Sequence, residues 1–438
     1  MLIEILIVLS FGDSLIIILA IDCFIITTII FVTYLKDLPV YLLILNIIPL
    51  IYFNLAFHYT LKWVLIQDIF VFVVLYLALL KFIVARENEL SDSPFKTAIL
   101  IVFSYFCFSA VYGFLRGHQL SAIEDELYHI FYYLLILILT YILNKEKQYI
   151  SLITAIGIII TAISLEYIVI FVGSGFSRFV TFQSNLILIM VAVSFSFSLF
   201  YRKKRIFWLS IFFINLLGLV ACQTRTLWVS AFLILAIIAF YYIKVTNKRL
   251  LTKLLMYGLI LLLPAVLFSS RTRQNDTELK NNQQLGSRAQ SIKNPTEDAS
   301  FIMRLELGYY AFQKFMKNPI IGSGLGDYVK YKIFKNSDNK IYYIDSTWLY
   351  MLWKGGIIGF LLFAWIYLLL LKNALFIFKK ANELIIKILS LSVFAATCGL
   401  IITGFFVASL NKYKYGVIIA ILFAFIDFEK RKLVKIST

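Results

Sequence analysis

Charge is scarce in this chain. Only 15% of its 438 residues are Asp, Glu, Lys or Arg, while 61% are hydrophobic and the mean hydropathy is +0.90. Soluble domains are roughly 45–50% apolar, so a soluble protein of this size is excluded. Cysteine is scarce too: Cys23, Cys107, Cys222 and Cys398 are the whole set, and all four fall in apolar stretches. Neither disulfides nor a thiolate metal site is expected. Histidine occurs only as His58, His118 and His129, and proline only six times. Acidic residues number 24 against 41 Lys and Arg, a formal net charge of +17. A positive n-region and a small-residue cleavage site are both missing from the start, so no cleavable signal peptide is expected.

Long apolar runs fill the rest. A spanning helix needs about 20 mostly apolar residues. Runs of that kind occur near 14–34, 39–57, 61–84, 95–115, 127–143, 150–173, 184–201, 206–222, 226–243, 250–268, 346–371, 384–407 and 413–428. The expectation is an all-α polytopic membrane protein of about 12–13 transmembrane helices with one large extracytoplasmic loop. Three regions follow: helices in 1–268, the loop in 269–345, and C-terminal helices in 346–438.

The excess positive charge is not spread as a nucleic-acid surface would need. It collects at Arg202-Lys203-Lys204-Arg205, at Lys244 to Lys253, at Lys372 to Lys387 and at Lys430 to Lys435. These groups fall on alternate inter-helix segments, so one topology puts them all in the cytoplasm, where they also meet anionic lipid. That topology makes the C-terminus cytoplasmic and the 269–345 loop extracytoplasmic. Nucleic acid is not an expected partner; membrane lipids are.

Within the loop, 269–299 is rich in Asn, Gln, Ser and Thr, the composition of a flap. Ile302, Leu305, Tyr309, Phe312 and Met316 then recur at three- and four-residue spacing and predict an amphipathic helix. Asn318-Pro319 ends it, because proline excludes helical geometry at the residue before it. Gly322, Gly324 and Gly326 permit tight turns or close backbone approach to a ligand.

Some cations sit where the topology argues against them. Arg116, Arg178, Arg225, Arg271, Arg273 and Arg304 all fall at or beyond the outer boundary. Arg225, in Gln223-Thr224-Arg225-Thr226 between two apolar helices, is either a snorkelling helix-end residue or a cation facing a wet cavity. Guanidinium groups match phosphate oxygens and stay charged, so such a set suits a lipid diphosphate at the interface. Among acidic residues, Glu124, Asp125 and Glu126 open the fifth span beside His118, and Glu166 falls within the sixth. Glu166 pairs an arginine, lines a cavity, or sits protonated in an apolar setting. Asp345 has two readings, a general base or an N-cap for the next helix. Tyr309 and its aromatic neighbours suit sugar stacking or an interfacial belt.

These residues carry a resemblance. Gly113-Phe114-Leu115-Arg116-Gly117 through Tyr128, Thr224-Arg225-Thr226-Leu227-Trp228, and above all Arg304 through Asn318-Pro319-Ile320-Ile321-Gly322-Ser323-Gly324 to Asp345 with Gly355-Gly356-Ile357-Ile358-Gly359 resemble the O-antigen ligase and polymerase superfamily of bacterial polysaccharide assembly. The resemblance implies a metal-independent, inverting glycosyltransferase of the GT-C-like membrane type, without a cofactor, in the bacterial inner membrane. Its donor would be a glycan on undecaprenyl diphosphate and its acceptor a glycan or a lipid. A chain-length regulator is a further implied partner. Carried over, Arg225 and Arg304 bind and stabilise the leaving diphosphate, with Arg116, Arg178, Glu166 and Tyr309 as further substrate contacts. The ligases carry a histidine where this chain has Asp345-Ser346. Asp345 then takes its place as base, or Glu306 or Glu124 does, and a polymerase is preferred to a ligase. A transporter of lipid-linked sugars is the competing class, but it would call for paired repeats and broken helices. A non-catalytic assembly partner would require no such arginines and carboxylates.

Overall fold

The computed structural model describes residues 93–143, 145–173, 184–222, 224–246, 299–332, 338–407, 410 and 413–437. The expected spans at 14–34, 39–57, 61–84 and 250–268 lie outside these residues, as do the flap 269–298 and Arg178, Arg271 and Arg273. Ten helices carry the described fold: α1 (Lys96–Leu115), α2 (Leu120–Ile142), α3 (Glu146–Gly173), α4 (Ser184–Phe200), α5 (Arg205–Ala221), α6 (Arg225–Thr246), α7 (Ala299–Lys317), α8 (Thr347–Lys380), α9 (Leu384–Thr403) and α10 (Tyr413–Ser437). Among the described residues six helical stretches are long and apolar enough to cross a membrane, and α4 is apolar but shorter. The chain is an all-α polytopic membrane protein.

Two compact units divide the chain. Of the described residues, the first takes the end of α2 and the start of α3, residues 138–159. Its turn is held by the Tyr149 hydroxyl, which donates to the Leu143 carbonyl at 2.9 Å. All other described residues belong to the second unit.

In the second unit α4 is the centre. It packs on α5, α6 and α9, and nearly every side chain from Asn185 to Leu199 is buried. Its serines make this close approach feasible; Ser194 and Ser198 return their hydroxyls to the Met190 and Phe195 carbonyls at 2.6 and 2.7 Å. Helix α9 packs on α4, α6 and α8, and the Ser230 and Thr403 hydroxyls join α6 to α9 at 2.7 Å. The Thr347 amide donates to the Gly404 carbonyl at 2.8 Å. The starts of α6 and α8 and the end of α9 are thus gathered at one end of the bundle. The basic turn Arg202–Lys204 and the last turns of α6 and α8 lie at the other.

The loop that follows α7 is spliced into α8. Gly356 is non-helical, with φ 63° and ψ −165°, and the intrahelical ladder breaks there. The freed carbonyls of Trp353 and Lys354 accept from the Ser323 and Gly324 amides at 2.9 and 3.1 Å, while the Ile357 and Ile358 amides donate to the Pro319 and Ile320 carbonyls at 2.9 and 3.3 Å. Inside a membrane protein each broken backbone bond must be replaced, and here the loop supplies all four partners. The Leu325 amide continues the loop onto α1 by donating to the Ser109 carbonyl at 3.2 Å.

The segment 328–343 contains a small antiparallel hairpin, β1 (Val329–Lys332) with β2 (Asp338–Ile341), Val329 opposite Ile341. The close approach at the glycine run is to the chain's own backbone rather than to a ligand. A Cβ at Gly322 would stand 2.5 Å from the Gly356 amide nitrogen, and one at Gly356 equally close to that of Gly322.

Gly322→Ala should therefore destabilise the protein. The left-handed backbone at φ 74° alone costs an alanine about 1–2 kcal/mol, before the clash. A lowered thermal transition in detergent is expected, against no change for Gly173→Ala, whose Cβ would meet nothing within 4 Å. Equal transitions in the two variants would refute the tight splice.

Candidate active site at one end of the bundle

Arg304 lies one turn into α7, and Asp345 directly precedes the cap of α8. The splice holds α7 against α8, and the two side chains meet: Arg304 Nε donates to Asp345 Oδ2 at 2.7 Å. Both remain about half exposed, 44% and 48%, so the pair is structured yet reachable. The N-cap reading of Asp345 is corrected, because Ser346 takes that place and its hydroxyl accepts from the Leu349 amide at 3.3 Å. Asp345 is left with its carboxylate for Arg304. The α6 helix begins at Arg225, at the same end of the bundle; the Arg225 side chain lies outside the described residues.

A second group of charges lies beneath the loop. Lys354, fully buried in α8, contacts Glu126 of α2 at 2.5 Å and the Asp327 carbonyl. Glu126 also accepts from the Gly326 amide at 2.7 Å. Asp327 accepts from Lys314 at 2.8 and 3.1 Å and from the Trp353 indole at 2.8 Å. Burial opposes ionisation of Asp327, but the Lys314 and Trp353 hydrogen bonds, with the charges of Lys314 and Lys354, outweigh it and hold the carboxyl below its ordinary range. His118 stands beside this group, Nδ1 at 2.8 Å from the Leu325 carbonyl and Nε2 at 4.0 Å from Asp327. Charges this buried persist only when paired and hydrogen-bonded. Their work is to pin the loop that carries Asp327 to α2 and α8.

The remaining predicted residues scatter. Arg116, just past α1, donates to Asn318 Oδ1 at 3.2 Å and lies 5.0 Å over the Tyr112 ring, at the far end of α7 from Arg304. Glu166 is half-buried on α3 with no ion pair among the described residues. Tyr309 is 60% exposed on α7. The apolar stripe that predicted α7 is turned outward: Leu305, Tyr309, Phe312 and Met316 are exposed, while Leu307 and Ala311 face inward. Glu124 and Asp125 are exposed, and only Glu126 of that acidic run turns inward.

Sequence reasoning overlooked Lys354, Asp327 and Lys314. Lys354 was available to the same rule that singled out Arg225, a cation inside an apolar run. Its partner Glu126 is 228 residues away, beyond any local pattern.

Residues 210–364 match a family model described as O-antigen ligase. The chain carries an O-antigen ligase family domain. No curated protein matches the chain. The domain covers about a third of the sequence, and Arg225, Arg304, Asp345, the spliced loop and Lys354 all fall inside it. Arg116, His118, Glu126 and Glu166 fall outside. The superfamily assignment made from the motifs holds over this domain. The match supports a function of the O-antigen ligase and polymerase type in broad terms.

Breaking the buried pair on one side should be severe. Lys354→Met leaves Glu126 as an uncompensated buried charge, a loss of about 3–5 kcal/mol, seen as aggregation in detergent chromatography. Adding Glu126→Gln, which keeps an acceptor for Gly326, should restore much of the monodisperse peak; a double variant no better than the single would count against the pairing. Asp327 makes its own prediction. Its depressed carboxyl contributes stability that is present above the unfolded value near pH 3.9 and lost as pH falls through the lower folded value. The gap in thermal transition between wild type and Asp327→Asn should be full at pH 7 and shrink below about pH 4.

Proposed function

We propose that the protein is a polysaccharide polymerase, an inverting, metal-independent glycosyltransferase that joins undecaprenyl-diphosphate-linked repeat units at the outer face of the inner membrane. The observation that carries this reading is the Arg304–Asp345 pair, a carboxylate and a guanidinium in contact at 2.7 Å and both open to solvent.

The acceptor hydroxyl gives its proton to Asp345 as its oxygen attacks the anomeric carbon of the donor. The bond from that carbon to the diphosphate oxygen breaks on the opposite face, so the configuration inverts. The departing diphosphate gathers negative charge and is met by Arg304 and by Arg225 at the start of α6. Contact with Arg304 fixes the position of the Asp345 carboxylate. Electrostatic stabilisation of this kind is typically the largest catalytic contribution, a factor of about 10²–10³ per donor. Asp345 in the position where the ligases carry histidine favours the polymerase over transfer to lipid A-core.

Purified protein given undecaprenyl-diphosphate glycan alone should produce a ladder of longer lipid-linked glycans. Transfer that begins only when lipid A-core is added would make it a ligase instead. Arg304→Ala and Arg225→Ala should each lower the rate at least 100-fold, by the donor estimate above, with the protein still folded, and Asp345→Asn should do likewise. Full product from either arginine variant would remove the diphosphate clamp. Unchanged turnover in Asp345→Asn would remove the base.

A further inference from the structure

Some 15–20 Å along α7 from Arg304, at about 1.5 Å per residue to Lys314 and Lys317, an open cavity of about 350 Å³ is lined by Arg116, His118, Lys314, Lys317, Asn318, Ser323 and Asp327. That volume lies within the range of ligand sites, about 300–1,000 Å³. We propose that this cavity is a second anion site, which takes the diphosphate of a lipid-linked acceptor while Arg304 attends to the diphosphate that leaves. The assignment to the acceptor rests on the transfer reading above; the anion site itself does not.

Charge balance comes first. Lys314 is committed to Asp327 through both carboxylate oxygens. Among the described residues Arg116 has as partners the neutral Asn318 side chain and the Tyr112 ring, and Lys317 has no ion pair. Two cations are therefore uncompensated, which suits a doubly charged anion, and a guanidinium beside an ammonium is a strong phosphate-binding combination.

The second observation is independent of charge. Ser323 is only 3% exposed, yet its hydroxyl has no hydrogen-bond partner and it lines this cavity. Buried hydroxyls are nearly always satisfied, and this one is left as a donor available to an oxygen of a ligand in the cavity. The neighbouring Ser323 and Gly324 amides are consumed by the splice, leaving the side chain as the donor that the loop offers.

The surroundings indicate a ligand with an apolar tail. Phe114 and Leu115 precede Arg116, Met316 precedes Lys317, and Ile320 follows Asn318; all four are more than half exposed. A free anion would have no use for that rim. The distance along α7 is also informative. One diphosphate cannot reach both cationic groups, whereas an acceptor's reacting hydroxyl and its own diphosphate are separated by a whole repeat unit. A polymerase handles two lipid diphosphates at once, and two separated cationic sites answer that demand.

The test is a titration of the full chain in zwitterionic nanodiscs with farnesyl diphosphate as the probe, followed by calorimetry. Two molecules should bind per chain. Lys317→Ala, an exposed position, and Ser323→Ala, which removes an unpaired hydroxyl, should each weaken one site at least tenfold and spare the other, and Arg304→Ala should do the reverse. A single site that is insensitive to Lys317→Ala and Ser323→Ala would overturn the proposal and leave the Arg304 reading intact. Loss confined to the Lys317 and Ser323 variants, with Arg304→Ala harmless, would support the cavity and remove the Arg304 clamp. Inorganic diphosphate that binds the Lys317-dependent site as tightly as the probe would overturn the lipid-linked assignment. So would displacement of the probe from that site in phosphatidylglycerol nanodiscs. No binding by the unsubstituted chain would overturn both sites.

Discussion

The exchange of backbone hydrogen bonds at Gly356 is the constraint on which the rest of this molecule depends. A helix interrupted in an apolar environment strands two amides and two carbonyls, and each must be satisfied from elsewhere. The 319–324 loop satisfies all of them. That requirement makes the loop a structural part of α8 rather than a surface excursion. It fixes the direction of α7, brings Arg304 to Asp345, and lays Asp327 over Lys354. The positive φ at both Gly322 and Gly356 follows from the same demand, because two backbones approach so closely that neither residue has room for a side chain.

Two ionic groups built on this frame differ in what burial does to them. Glu126 and Lys354 are fully buried. Their mutual attraction is offset by desolvation, so they specify one arrangement more than they add stability. Arg304 and Asp345 are half exposed, where solvent screening leaves such a pair worth little for folding. A contact that contributes little to the fold and yet leaves its carboxylate open to solvent is well suited to chemistry. The cavity by Arg116 and Lys317 stands between these cases, with its cations in solvent and its hydroxyl buried.

Much of this was legible in the sequence, and for definite reasons. Hydropathy marks spanning helices because the bilayer penalises polar side chains regardless of what packs around them. Asn318-Pro319 ended α7 as expected, because proline acts on its own neighbour. Arg304 and Asp345 were both singled out, one as a misplaced cation and one as a carboxylate before a helix, but no local signal said that they touch. Choosing between base and cap for Asp345 required coordinates, since Asp345 and Ser346 are both good caps and only one can occupy the position. Periodicity found α7 and could not say that its apolar stripe faces outward. The amphipathic pattern is the same whether that face meets protein, lipid or substrate.

The sequence by itself determined the membrane class, the helix count within the described regions, the amphipathic helix and the superfamily, because each depends on composition or on residues close together in the chain. Tertiary structure alone decided that the glycine run closes on α8, that Lys354 belongs with Glu126, and that Arg116 and Arg304 stand at opposite ends of α7. Those outcomes join residues about 30 to 230 positions apart. Contacts over such separations are set by how helices pack and by which buried polar groups must find partners, and no short stretch of chain encodes either.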